Sequence, residues 1–77
     1  MTRAELEKHL DNEVMIELYD GWVVRGKLIK TGDERFKEYP ELYLRRNYYC
    51  VCWVEYNLLH FSVLFRVSHI KKLEVLD

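Results

Sequence analysis

Cys50 and Cys52 stand two apart in a stretch rich in β-forming residues, so an extended strand would point both thiols to one side. With His60 or His69 beside them they would begin a zinc site. Zinc asks for about four ligands, and Cys-x-Cys is not the Cys-x2-Cys spacing of a zinc knuckle. Two small buried apolar side chains account for the pair more simply. Neighbours this close on one strand are also poorly placed for a disulfide. The expectation is free thiols, with no metal and no cofactor. His9, His60 and His69 fall on a helix, a turn and a corner, without any Ser/His/Asp order, paired carboxylates or glycine-rich phosphate loop. A nucleophile needs a base within hydrogen-bond reach, and nothing here supplies one. The chain reads as a non-enzyme.

Aromatic residues are the stronger signal. Tyr39, Tyr43, Tyr48, Tyr49, Trp53, Tyr56, Phe61 and Phe65 crowd the second half of a 77-residue chain. Beyond residue 47, Tyr48, Cys50, Cys52 and Val54 alternate with Tyr49, Val51 and Trp53. Both sets are largely apolar, so both faces of that strand should be covered, the second one by a subunit or partner. Basic residues are few: Arg45-Arg46 and Lys71-Lys72 are short pairs of the kind that usually face solvent. Twelve Lys plus Arg against thirteen Asp plus Glu give a net charge of −1. That balance excludes a general electrostatic nucleic-acid binder, so any such binding must come from local geometry.

The elements that position these residues follow from periodicity. Thr2-Arg3-Ala4-Glu5 is a capping box, and Leu6 and Leu10 share one face of a helix expected over 3–11. Strands are expected at about 13–19, 22–31, 41–55, 60–66 and 70–76. Asp20-Gly21 turns the first hairpin. Gly26 in mid-strand predicts a bend or a close backbone approach. The long third strand should bend near Arg45-Arg46-Asn47. The fold class is mainly β: an N-terminal helix, then a strongly bent five-stranded antiparallel sheet closing as a small SH3-like barrel. A chain this short forms one domain, 1–77, and buries only ~60% of its unfolded surface. It has no apolar run of membrane-spanning length and no signal-peptide pattern at its start, which predicts a cytoplasmic protein.

In this order the elements resemble the Sm/LSm proteins, bacterial Hfq among them. Val24-Arg25-Gly26-Lys27-Leu28 and Leu42-Tyr43-Leu44 are similar to their first motif. Val63-Leu64-Phe65-Arg66-Val67-Ser68-His69-Ile70, followed by Leu73 and Val75, is similar to the second. The family's corner glycine is Val67 here and its corner asparagine is His69. Glu41 stands for the asparagine opening the third strand, and the loop before it is longer; such departures would suit a divergent, phage-type member. The resemblance implies a Sm-like barrel that closes into a homo-oligomeric ring of about five to seven copies, a head-to-tail arrangement. Its seam would involve Phe61, Val63, Phe65, Ile70 and Leu73. It further implies single-stranded RNA as partner, held near Tyr39, Glu41, Arg66 and His69, with a base between Tyr39 and Arg66. Glu41 cannot donate as asparagine does, so the usual uridine preference should be lost. The other reading is a small SH3-like barrel serving as a protein-interaction or structural module without RNA.

Overall fold

The computed structural model describes residues 1–76. The first helix, α1, spans Arg3–Glu7 and opens on the expected box: Thr2 Oγ1 accepts from the Glu5 amide at 3.2 Å, and the Thr2 amide donates to Glu5 Oε1 at 3.0 Å. It stops short of residue 11 because the sheet captures the backbone that follows. The Asp11 amide, at φ 69°, donates to the Leu28 carbonyl at 2.8 Å, and the Leu28 amide donates to the Asn12 carbonyl at 3.0 Å. Leu6 is fully buried and anchors the helix on the sheet.

Five strands follow: β1 Glu13–Leu18, β2 Val23–Lys30, β3 Tyr49–Glu55, β4 Leu58–Phe61 and β5 Ile70–Val75. They form one antiparallel sheet in the order β4-β3-β2-β1-β5. Among the described residues β4 and β5 do not pair with each other, so each leaves a free edge. Asp20-Gly21 sits in the first hairpin turn, where Asp20 Oδ1 accepts from the Trp22 amide at 3.1 Å. At Gly26 a Cβ would lie 2.5 Å from the Cys52 carbonyl oxygen, so the close approach expected of this glycine is real. Tyr56 and Asn57 both have positive φ, making a tight turn that starts β4 at Leu58 rather than at residue 60. Regular pairing ends at Phe61: the Ser62 amide still donates to the Val51 carbonyl at 2.9 Å, but Ser62 Oγ takes the Val51 amide at 3.1 Å, and the chain then meets β3 again at the Tyr49–Phe65 bridge.

The largest departure lies between β2 and β3. Residues 41–43, expected to begin a strand, belong instead to a short helix, α2, Pro40–Tyr43, which Leu44 caps. Proline at its first turn needs no amide partner, and the Leu44 amide closes the turn on the Pro40 carbonyl at 3.0 Å. Together with a 3₁₀ turn at Glu34–Phe36, α2 lays Phe36 and Leu42 over Ile29, Cys50 and Cys52 on one face of the sheet. The opposite face packs Leu6, Val14, Ile16, Leu28, Tyr49, Val51 and Phe65. Both faces of β3 are covered over Tyr49–Cys52, whereas Trp53 and Val54 at its end stay exposed. Over Cys50 and Cys52 the cover on the second face is the chain's own segment. Arg35 fastens that segment: its Nε and Nη2 each reach an Asp33 carboxylate oxygen at 2.8 Å, and Nη1 reaches Asp11 Oδ1 at 2.6 Å.

Candidate nucleic-acid interface

Three stretches converge at one end of the sheet: the start of α1, residues 45–48 leading into β3, and the 3₁₀ turn Val67–His69 before β5. Arg3 Nη1 donates to Asn47 Oδ1 at 2.7 Å. Asn47 sits at φ 63°, a conformation asparagine tolerates better than most residues. The guanidinium carbons of Arg45 and Arg66 lie 5.0 and 5.7 Å from the centroid of the Tyr48 ring. Both are within cation–π range.

The backbone beneath this cluster is well tied. The Thr31 amide and hydroxyl both donate to the Tyr48 carbonyl, at 3.0 and 3.1 Å, and the Tyr48 amide donates to Thr31 Oγ1 at 3.3 Å. Arg66 is gripped by His69, whose amide donates to the Arg66 carbonyl at 2.9 Å and whose Nδ1 accepts from the Arg66 amide at 3.1 Å. Helix α1 is held by Glu7, which accepts from the Tyr49 hydroxyl at 2.6 Å and from Lys30 Nζ at 2.9 Å. The Tyr49 hydroxyl first, and Lys30 second, keep the Glu7 carboxyl below its ordinary range. Burial, aided by the Glu7 bond, pushes the Tyr49 hydroxyl up to about 12.

Charge is distributed unevenly. Arg25, Lys30, Arg35 and Lys71 each face a carboxylate, on Glu13, Glu7, Asp11 with Asp33, and Glu17. Arg3, Arg45, Arg46 and Arg66 have no carboxylate within 4.0 Å among the described residues. In a chain of net charge −1, two of these unpaired guanidiniums, on Arg45 and Arg66, flank one tyrosine. Fixed cations beside an aromatic face are what single-stranded nucleic acid needs: phosphate contacts and a stacking surface.

Comparison with protein-family models, with curated proteins and with solved structures finds no match. The chemistry must be read from the residues themselves.

Of the residues expected to hold RNA, Arg66 and His69 stand together in the cluster. Tyr39 and Glu41 belong to the α2 region instead, where Tyr39 packs edge-on against Phe61 at 5.7 Å and Glu41 is exposed. The ring against Arg66 is Tyr48. A basic pair followed at once by Asn47 and two tyrosines was the available sequence signal. The expected seam residues also separate. Phe61 and Val63 are 40% and 50% exposed and Leu73 is half-buried, whereas Phe65 at 0% and Ile70 at 8% belong to the core. Cys50 and Cys52 are buried free thiols with sulfurs 4.0 Å apart. Their mutual contact and burial push the Cys50 thiol up, so it stays protonated. No cluster of three or more His, Cys, Asp or Glu suited to a metal occurs among the described residues. None of the described helices is long and apolar enough to cross a membrane.

Proposed function

We propose that this chain is a cytoplasmic Sm-like subunit that assembles edge to edge into a closed ring and binds single-stranded RNA at the Tyr48 cluster. The observation that carries the RNA reading is the Tyr48 ring flanked by Arg45 and Arg66, both without an acidic partner among the described residues. A base stacked on that ring contributes about 1–3 kcal/mol, and the guanidiniums take the flanking phosphates. Glu41, which stands for the family's uracil-reading asparagine, lies on α2 and cannot donate as an amide does, so the binding carries no uridine preference. A barrel is supported by the Tyr49–Phe65 bridge, which folds the connection after β4 back onto β3. Ring assembly is supported by the two free edges, because unpaired strands with exposed Leu58, Phe61 and Val63 invite pairing. The seam of this reading is formed by β4 and the outer edge of β5, with Phe65 and Ile70 acting from within the core.

Two measurements test it. Light scattering on a sizing column, with and without nuclease, should give a closed oligomer that Val63→Asp dissociates; a wild-type monomer at high micromolar concentration refutes the ring. Titration of labelled oligo-U, oligo-A and oligo-C at low salt should give comparable affinities that weaken steeply with added salt. Tight binding confined to oligo-U refutes the lost preference. Failure to bind any of the three favours the interaction-module reading, which has its own support in Trp22: this ring is 60% exposed between two clefts of about 610 and 440 Å³.

A further inference from the structure

We propose that the cleft between the start of α1 and the 66–69 turn seats the terminal phosphate of an RNA strand whose end base lies against Tyr48. This rests on the RNA reading above and adds the chemistry of the strand's end. The cleft measures about 490 Å³, and Arg3, Asn47, Arg66 and Ser68 contribute to its wall. No acidic side chain among the described residues lines it. Glu5 is the acid of the neighbouring turn, and its carboxylate is turned back onto the Thr2 amide at 3.0 Å.

Two guanidiniums sharing one cleft repel each other until an anion enters. Elsewhere in this molecule a carboxylate plays that part, as Asp33 and Asp11 do for Arg35. Here Arg3 donates to the neutral Asn47 amide oxygen at 2.7 Å, which fixes its direction, while Glu7, the carboxylate that feels Arg3 from a distance, spends its hydrogen bonds on Tyr49 and Lys30. A site of this kind is preorganised for a ligand that brings the missing charge. A terminal phosphate monoester carries nearly two negative charges near neutral pH and offers three strong acceptor oxygens, a match for two guanidinium forks. An internal diester brings a single charge and two esterified oxygens, and so leaves one fork unmatched. Arg66 belongs both to the cleft and to the Tyr48 ring, which puts phosphate and base within one nucleotide of each other.

The test uses one internally labelled oligonucleotide carrying a 5′-phosphate, a 3′-phosphate or hydroxyls at both ends. Each is titrated against the wild-type protein and Arg3→Gln, a change at an exposed position whose folding is checked by its thermal melt. The expected result is about tenfold tighter binding of the phosphate-ended strand at one of the two ends, the scale of one charge-assisted contact. Arg3→Gln should bring the phosphate-ended and hydroxyl-ended affinities together. Equal wild-type affinity for all three strands overturns the inference and leaves the RNA reading standing. Binding of none of them overturns both. A preference that survives Arg3→Gln overturns the assignment to this cleft. Competition by adenosine monophosphate as effective as by the phosphate-ended strand overturns the strand end in favour of a free nucleotide.

Discussion

Arginine does opposite work at two places in this small sheet. On the outer layer, Arg35 meets Asp33 through two bonds and Asp11 through a third, so its charge is answered within the chain. Those hydrogen bonds, Asp33 first and Asp11 second, raise the Arg35 guanidinium further above its already high ordinary value. Around Tyr48, Arg3, Arg45 and Arg66 face a ring and an amide, with no carboxylate within 4.0 Å among the described residues. The first arrangement fastens a segment of chain; the second leaves interaction capacity unused in the folded monomer. A paired cation describes stability, and under the function proposed above an unpaired, well-positioned one awaits a ligand.

This contrast can be broken most forcefully from the outer layer. Phe36→Ala removes the largest side chain of that cover and leaves a cavity over Cys50 and Cys52, at an expected cost of about 3–5 kcal/mol in urea unfolding. RNA affinity of the fraction still folded should hold; its loss would show the two regions to be coupled, Thr31 being the obvious link through Tyr48. Tyr48→Ala does the reverse. Binding should weaken by about 1–3 kcal/mol in a fluorescence titration, with stability changed by about 1 kcal/mol or less. An unfolded Tyr48→Ala protein would make the ring structural and remove the contrast.

Acid gives the smallest effect. Arg35 holds Asp33, and chiefly the Tyr49 hydroxyl holds Glu7, below the ordinary carboxylate range. Depressed folded-state values mean that the unfolded chain takes up these protons first as the pH falls. The stabilisation is therefore complete above the ordinary carboxylate value of about 4 and is lost as pH drops through the folded values. Urea midpoints at about pH 6 and about pH 3 should differ less in Arg35→Gln, which removes the Asp33 share, and less in Glu7→Gln, which removes the other.

The sequence disclosed whatever depends on neighbours along the chain. The Thr2/Glu5 box, the Asp20-Gly21 turn, the period-two strands and the two-sided β3 are all local patterns, and Gly26 announced its close approach because no other residue fits there. What escaped depends on contacts between distant segments. Helix α1 ends early because the Asp11 amide bonds to Leu28, a choice invisible to the Leu6/Leu10 spacing. Leu42-Tyr43-Leu44 alternates like a strand, yet with Pro40 ahead of it the same residues close a helical turn, and four residues cannot separate the two periods. Tyr48 rather than Tyr39 faces Arg66 because the inserted segment folds onto the opposite face of the sheet, carrying Tyr39 to Phe61.

The strand order has a bearing on how the chain is made. Among themselves β1 to β4 pair in sequence order, so that meander can zip up hairpin by hairpin as it leaves the ribosome. The β1–β5 ladder joins Val14 to Val75 and must wait for closure of a loop containing nearly everything between them. Until residues 70–75 emerge, the second edge of β1 is bare in a nascent chain whose other strands are already in place. That interval, rather than the finished fold, is when this protein is most open to pairing with the wrong strand.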